Sequence, residues 1–580
     1  MGTERKQRTQ EDKQMAAEPP ASAVVTAGAA SCEKEEWLAI DWQAATLNVC
    51  RLQVRIVKAV REGRWGKVKA LQHLLTRSFS AKVLAVKRVT ENDGKNTPGV
   101  DKVVWRTPRQ KMLTVRSMRR RGYHPHPQRR IYIPKKNGKM RPLGIPTMRD
   151  RAMQALHLQG LEPIAETTGD PNSFGFRPKR STADALAYCH RLLCQRRSPQ
   201  WVLEGDIKAC FDRISHDWLL KHVPMDREVL GKWLKAGYLE KGVFYDTEEG
   251  TPQGGIISPV LANLALDGLQ ELLRKQFPEW KGYMVNLDRY ADDSIITGRT
   301  KELLEERVKP VVRTFLAERG LELSEEKTRI THIDEGFDFL GVTVRKYRGT
   351  CLTRPSAANV HAFLEKVRAV IKGNPTATAG GLVVMLNPLI RGWANYHRHG
   401  ASKETFVSVD SSIFECLWRW ARRRHPDKGG KWVRRKYFGT LGEHHWMFNG
   451  EVPAAEGQVR TVWLRKAAAT PIRRHRPIRC KANPYDPDWE TYFEEREGLK
   501  MEASLPGRRK LSYLWRQQRG ICPECQGRIT KLSGWQLHHK VWQTLGGRAG
   551  ADNRVLLHPQ CHDRAHKKLS EASPGPAKGL

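Results

Sequence analysis

The sequence predicts a multidomain α+β protein, and three observations carry that prediction. Residues 287–297, L-D-R-Y-A-D-D-S-I-I-T, read as a strand, a tight turn holding two aspartates, and a second strand, hence antiparallel sheet. Residues 355–445 turn helical and basic. Residues 506–569 gather cysteine and histidine pairs at metal-ligand spacing in a compact unit. A chain of 580 residues has room for several such domains.

In chain order, residues 1–36 mix seven acidic with five basic residues around an Ala-rich stretch and are expected to be disordered. The acids speak against a transit peptide, and the short apolar centre against a secretory signal. Residues 37–350 form the next unit, in which L-Q-V-R-I-V-K-A-V (52–60) and V-K-A-L-Q-H-L-L (68–75) carry helical spacing. D-G-K-N-T-P-G-V-D (93–101) is a turn cluster, after which strand and helix signals mix as far as residue 350. Residues 351–445 are the helical, basic unit, with W-A-N-Y-H and L-W-R-W-A-R-R-R-H-P as landmarks. Residues 446–505, rich in Pro and Arg with little periodicity, read as a basic, DNA-binding connector. The Cys/His unit fills 506–569, and 570–580 is a loose tail.

Charge identifies the class of partner. Lys and Arg outnumber Asp and Glu by 101 to 62, a net +39 that implies a polyanion, with nucleic acid ahead of an anionic membrane. Residues 116–141 hold ten Lys or Arg and no acid, and 460–481 hold eight and no acid. Two such runs with interspersed aromatics and Pro suit a surface that tracks phosphates. The longest apolar run, 254–266, is too short to span a bilayer and contains Pro and Asn, so no membrane is expected. Eleven mostly scattered cysteines suit a reducing compartment, and a cytoplasmic location follows as the expectation.

W-V-L-E-G-D-I-K-A-C-F-D (201–212) supplies a third carboxylate. Its apolar run ends at Asp206, just before the helical I-S-H-D-W-L-L-K-H-V, so Asp206 projects beyond a strand end. Beside the hairpin it would complete a cluster with Asp292 and Asp293 whose mutual repulsion calls for hard cations such as Mg²⁺. Two Mg²⁺ ions about 3.5–4 Å apart form the clamp used for in-line displacement at phosphorus. The plainer alternative is a polar turn with two solubilising aspartates.

The Y-A-D-D turn preceded by D-I-K-A-C-F-D resembles the palm of reverse transcriptases. With I-P-K-K-N-G-K-M-R-P-L-G-I-P (133–146), N-S-F-G-F-R-P-K-R-S (172–181), T-P-Q-G-G-I-I-S-P-V-L-A-N (251–263), L-S-E-E-K-T-R-I (323–330) and F-D-F-L-G (337–341), the set is similar in order and spacing to group II intron-encoded reverse transcriptases. The resemblance implies a right-hand polymerase with fingers, an antiparallel palm sheet and a helical thumb that doubles as maturase domain. It implies that Asp206 and Asp292 bind two Mg²⁺ ions, with Asp293 assisting and the Ile207 carbonyl as a further ligand. Phe211 would exclude a 2′-hydroxyl, and Gln253 and Gly254 would shape the nucleotide pocket. Lys135, Lys136 and Arg141 would meet the triphosphate, with the choice between the two lysines open. Lys327 would give a proton to pyrophosphate. L-N-P-L-I-R-G-W-A-N-Y-H (386–397) resembles the start of the maturase segment, and Arg419, Arg422 and Arg423 share one helical face suited to structured RNA.

C-P-E-C (522–525) and H-P-Q-C (558–561) are two ligand pairs that can close one structural Zn²⁺ site from Cys522, Cys525, His558 and Cys561. L-H-H-K (537–540), D-N-R (552–554) and C-H-D-R-A-H (561–566) resemble an HNH nuclease of ββα-metal fold. That resemblance implies a second divalent ion on His538, His562 and His566, His539 as general base, and Asn553 bracing the loop that holds it.

The expected protein is a reverse transcriptase, splicing cofactor and DNA endonuclease acting in target-primed intron retrohoming. Its partners would be group II intron RNA, double-stranded target DNA and deoxynucleoside triphosphates, and its setting a bacterial cytoplasm, at the nucleoid. Two alternatives stand beside it. A stand-alone, retron-like reverse transcriptase would lack both the maturase helices and the HNH unit, and an RNA-binding maturase without polymerase activity would not need the three aspartates.

Overall fold

A computed structural model of the chain describes residues 29–134, 138, 140–251, 253–454, 458–493, 495–496, 509–530, 533–540, 553–562 and 564–565. The disorder expected for 1–36 lies outside the described residues as far as residue 28, but from there the chain is helical, as α1 (Ala29–Leu38). The difference comes from a partner far along the chain: Arg116 meets Glu36 at 2.6 Å and Glu33 at 3.6 Å, and Trp37 is buried edge-on to Trp42. α2 (Trp42–Arg61) starts on the Asp41 carboxylate, which accepts the Gln43 and Ala44 N–H groups. α3 (Trp65–Arg77) and α4 (Phe79–Glu91) turn their apolar spacing inward, and α5 (Pro108–Ser117) opens with a Thr107–Gln110 capping box.

β1 (Gln128–Pro134) and β2 (Met140–Ile145) pair antiparallel. α6 (Met148–Thr168) is buried on nearly every face because α2, α3 and α4 pack around it. α7 (Thr182–Leu193), β3 (Trp201–Gly205), α8 (Cys210–Arg213), α9 (His216–His222) and α10 (Arg227–Leu234) lead to β4 (Tyr238–Glu240) and β5 (Val243–Tyr245). β4 and β5 extend the first hairpin into a sheet of order β2-β1-β4-β5, where Arg130 lies 3.7 Å above the Tyr238 ring. After α11 (Ser258–Leu266) and α12 (Leu269–Gln276), β6 (Asn286–Tyr290) and β7 (Asp293–Gly298) form the expected hairpin. α13 (Lys309–Ala317) returns the chain to β8 (Arg329–His332). The resulting antiparallel sheet, order β6-β7-β3-β8, is the palm sheet the sequence predicts.

β6 also carries Asp288, fully buried with no hydrogen-bond partner on either carboxyl oxygen. Burial pushes its pKa well above the ordinary value. A carboxyl whose folded pKa exceeds its unfolded one loses stability as pH rises above about 4. Asp288→Asn is therefore expected to raise the thermal midpoint at pH 8, the gain shrinking as pH falls toward the unfolded value. A variant no more stable than wild type at pH 8 would contradict this.

β9 (Phe337–Phe339), β10 (Val342–Tyr347) and β11 (Thr350–Pro355) make a three-stranded sheet, so the boundary expected after residue 350 falls at the start of β11. α14 (Ala357–Gly373), α15 (Ala379–His397), α16 (Lys403–Arg424) and α17 (Gly430–Tyr437) follow, as the periodicity of 355–445 indicates. From the W-A-N-Y-H motif Tyr396 donates its hydroxyl to the Leu340 carbonyl, ahead of β10, at 2.8 Å, while Trp393 Nε1 and His397 Nε2 meet Asn359 Oδ1 of α14 at 2.8 and 2.9 Å. The segment read as a connector from 446 differs from that expectation. β12 (Phe438–Leu441), β13 (His444–Pro453) and β14 (Val459–Trp463) form an antiparallel sheet whose Phe448, Val462 and Leu464 enter the core of the helices. Gly450 and Gly380 permit the contact, since a Cβ on either would fall 2.1–2.2 Å from the other strand's or helix's backbone.

Residues 475–496 then run back over the palm to Asp184 at the start of α7. Buried Asp184 accepts from the Ile478 N–H at 2.7 Å and from Arg496 at 2.6 Å, and His475 meets it at 2.9 Å. Burial raises its pKa, but these donors outweigh that and hold it near 2. Beyond, α18 (Arg509–Gln517), β15 (Gln536–His539) and β16 (Arg554–Leu557) enclose a small core of Leu514, Ile529, Leu556 and Leu557 with Cys522 and Cys561. Among the described residues no helix is long and apolar enough to cross a membrane.

Candidate functional site

The β6–β7 turn consists of Ala291 and Asp292, because Tyr290 and Asp293 are the last paired residues. Ala291 takes φ 59°, a left-handed conformation that costs a non-glycine residue about 1–2 kcal/mol and must be held by its surroundings. The surroundings come from N-S-F-G-F. Phe174 N–H donates to the Arg289 carbonyl and Arg289 N–H to the Asn172 carbonyl, so this segment adds itself to the edge of β6. Gly175 then sits under the turn, where a Cβ would fall 2.3 Å from Ala291 N. Below it Arg289 is buried, ion-paired with Asp267 and hydrogen-bonded to Asn263 at 3.3 Å; Asn263 in turn donates to the Gly175 carbonyl at 2.8 Å. Sequence reasoning missed these supports, although Gly175 and Asn263 lie inside the quoted motifs and Arg289 stands one residue before the turn's Tyr.

Asp206 follows β3 directly, and Gly205 pairs with Ser294, next to Asp293. The three carboxylates therefore share one end of the sheet. Asp293 shows the consequence: burial first, then Asp292 and Asp206, push its carboxyl up to about 6. Lys327 answers part of that charge by an ion pair of 2.8 Å to Asp206 Oδ2, which raises its own pKa. Three carboxylates against one lysine leave an excess that hard cations fit. Ile207 bridges to Leu323 through bonds from Lys208 N–H to the Glu322 carbonyl and from Ser324 N–H to the Asp206 carbonyl. Its own carbonyl stays out of that ladder.

Phe211 lies on α8, partly buried and edge-on to Phe176 at 6.0 Å. Its carbonyl accepts the Thr251 N–H at 2.6 Å, and Gly250, at φ 85°, packs so close that a Cβ would lie 2.6 Å from the Asp212 carbonyl. The T-P-Q-G-G loop also reaches the first sheet: Gly144 N–H donates to the Gln253 carbonyl at 2.8 Å, and Gly254, at φ 116°, leaves no room for a Cβ beside the Gly144 oxygen. Gln253 and Gly254 thus join β2, the strand carrying Arg141 opposite Ile133. Lys135 and Lys136 lie outside the described residues. If Phe211 walls the nucleotide pocket, Phe211→Val is expected to raise ribonucleotide use relative to deoxynucleotide by about 10–200-fold in kcat/KM, the range pocket size alone supplies. An unchanged ratio would contradict that role.

Arg419, Arg422 and Arg423 are exposed on α16, with Arg419 3.4 Å from Glu415 and Arg422 donating to the Lys428 carbonyl.

In the C-terminal unit the ligand atoms of Cys522, Cys525, His558 and Cys561 all lie within 4.8 Å of one another. A tetrahedral ion with Zn–S bonds of about 2.3 Å needs its ligands roughly 3.8 Å apart, so the set fits one metal ion. His558 faces Cys525 Sγ through Nδ1 at 3.2 Å, while its Nε2 meets the Arg528 carbonyl at 3.0 Å, a partner that fixes the tautomer. β15 and β16 bring the nuclease-like residues together. His538 is buried with its ring 5.3 Å from that of His562, and His539 pairs with Arg554. Asn553 is buried at the mouth of this pair, its carbonyl accepting the Lys540 N–H at 2.9 Å. His566 lies outside the described residues.

Comparison with known families follows the same division. The model for reverse transcriptase (RNA-dependent DNA polymerase) matches residues 133–344, and that for the N-terminal domain of reverse transcriptase matches 37–118. The group II intron maturase-specific domain matches 360–438 and the HNH endonuclease 522–568. Protein YkfC of Escherichia coli is 35% identical over 297 residues, covering 44% of this chain and 77% of that protein. The group II intron-encoded protein LtrA of Lactococcus lactis is 33% identical over 305 residues, covering 41% of this chain and 50% of LtrA. An uncharacterized 91 kDa protein in the cob intron of Schizosaccharomyces pombe is 28% identical, covering 56% of this chain and 49% of that protein. The match thus spans about half the length of the last two relatives.

Proposed function

The chain belongs to the group II intron-encoded proteins, carrying their reverse transcriptase, maturase and HNH endonuclease domains, and from that premise we propose that it performs target-primed retrohoming. In this reading it binds its intron RNA through the basic thumb and 460–481 surfaces. The intron RNA inserts into one strand of the DNA target, the HNH unit nicks the other, and the freed 3′-hydroxyl primes cDNA synthesis on the intron. The observation that carries the proposal is the gathering of Asp206 onto the Asp292–Asp293 turn in a chain that also holds a separate four-ligand Cys/His unit.

Asp206, Asp292 and Asp293 would hold two Mg²⁺ ions, which when bound would supply the charge neutralisation that nucleotidyl transfer requires. The chain's residues do the rest. Phe211 closes the sugar pocket, Gln253 and Gly254 shape it beside Arg141, and Lys135 or Lys136 meets the triphosphate. Lys327, hydrogen-bonded to Asp206, would give a proton to departing pyrophosphate. In the HNH unit, His539 would take the proton of the attacking water, with Asn553 bracing its loop and His538, His562 and His566 holding a divalent ion. Zn²⁺ on Cys522, Cys525, His558 and Cys561 would keep the unit folded. A cytoplasmic, nucleoid-associated ribonucleoprotein is the corresponding setting.

A retron-like reverse transcriptase would not be expected to carry both the maturase and HNH domains, and a maturase without polymerase activity has no use for the carboxylate cluster. Sequencing the RNA that co-purifies with the chain tests the reading. Enrichment of one group II intron transcript is expected; a mixed population with no intron would overturn it.

A further inference from the structure

Along α15, Asn387, Arg391 and Arg398 recur at helical spacing and so lie along one face, Arg398 being the C-terminal cap. Asn387 pins β14 beside that face: its amide donates to the Trp463 carbonyl at 2.9 Å, and its Oδ1 accepts the Arg465 N–H at 2.7 Å. Farther on, Arg473 N–H donates to the Arg398 carbonyl at 2.9 Å. Two distant stretches thus deliver four arginines to one place.

Burial first, then Arg473 and Arg465, holds the Arg398 pKa below its usual value, and burial and Arg391 do the same to Arg465. No carboxylate among the described residues offsets either. Arg398 spends one N–H on Asn395 and Arg465 one on Thr470, both at 3.3 Å. The buried Nε and Nη2 of Arg398 and Nε of Arg465 have no hydrogen-bond partner. Folded proteins rarely leave charged buried donors unpaired, so an anion with several acceptors is the missing element. A phosphodiester offers two non-bridging oxygens that match a guanidinium fork.

We propose that Arg391, Arg398, Arg465 and Arg473 clamp a single phosphate of a nucleic-acid strand, at a site apart from the α16 arginines. The clamp rests on the nucleic-acid reading above and adds one addressable phosphate to it. A net charge of +39 and an acid-free run over 460–481 favour nucleic acid over an acidic peptide.

The test is the salt dependence of binding by the full chain to three probes: the intron transcript, an unrelated RNA hairpin and an RNA–DNA template–primer. One neutralised phosphate contributes about 0.7–0.9 to the slope of log K against log salt. Arg398→Gln is expected to lose about that much, and Arg398→Gln/Arg465→Gln no more, because both groups hold one phosphate. Arg398→Lys should not restore affinity. The exposed Arg391→Gln, also expected to weaken binding, keeps the test readable if the variants of half-buried Arg398 and Arg465 misfold. Loss on both RNAs assigns the phosphate to bound transcript, and loss on the template–primer alone to the polymerase substrate; either supports the clamp. Unchanged slopes on all probes, doubled loss in the double variant, or equal competition by polyglutamate would overturn it. If wild type shows no preference for the intron transcript, the intron reading fails, while the hairpin slope still decides the clamp.

Discussion

Asp292→Asn is expected to abolish cDNA synthesis on an RNA template while leaving RNA affinity unchanged. The residue sits in the turn itself, between the paired Tyr290 and Asp293, facing Asp206 across the sheet end. The amide nearly preserves size but removes one of the negative charges that the proposed Mg²⁺ ions would need. Metal stabilisation of the transition state amounts to several kcal/mol and each 1.4 kcal/mol is tenfold, so a rate loss of about 10²–10⁴-fold follows. Affinity for RNA should hold, because the substitution leaves the basic runs at 116–141 and 460–481 untouched. Primer extension at saturating Mg²⁺ with a parallel RNA-binding titration checks both halves. Extension near the wild-type rate would sink the metal-platform assignment.

His539→Ala is expected to abolish nicking of the second DNA strand with the C-terminal unit still folded. His539 lies in β15, whereas the candidate ligand set comes from Cys522, Cys525, His558 and Cys561, so the variant leaves that set intact. Extension of an annealed primer should continue, since the polymerase carboxylates belong to a different domain. Cys522→Ser is the contrast. It removes a buried candidate ligand from a core of only a few apolar side chains, and a unit that small would depend on an ion held there. That variant should lose its bound metal, its protease resistance and its nicking together. Second-strand cleavage at wild-type rate by a folded His539→Ala protein would make the residue structural.

The gathering of the three aspartates and of the Cys/His set was legible because chemistry fixes short strings. Two adjacent aspartates between strands, a third at a strand end, and paired cysteines at ligand spacing each demand their residue types locally. What supports them was not legible, because its partners are remote in sequence. Gly175 is small because the Tyr290–Ala291 backbone passes over it, and Arg289 is buried because Asp267 meets it. Residues 29–36 become helical through Arg109 and Arg116, about eighty positions downstream. β13 and β14 hid within a Pro- and Arg-rich stretch, since half their residues face solvent and the packing of β13 on α15 depends on Gly450 meeting Gly380. The return of residues 475–493 to the start of α7 gave no periodic signal, because it is mostly irregular chain fixed by remote partners, Asp184 among them, and by burial of Ile478, Ala482 and Phe493.

Target-primed synthesis on an intact duplex brings both active sites into one readout. The assay follows a labelled DNA target incubated with the intron ribonucleoprotein, deoxynucleotides and Mg²⁺, and scores cDNA joined to the second strand. Wild type is expected to give the joined product and Asp292→Asn the nick without it. His539→Ala should give neither on intact DNA, yet recover the joined product on a target already nicked at the same position. Joined cDNA from His539→Ala on intact DNA, or no joined cDNA from wild type on the pre-nicked target, would contradict a protein that nicks its own primer and copies the intron from it.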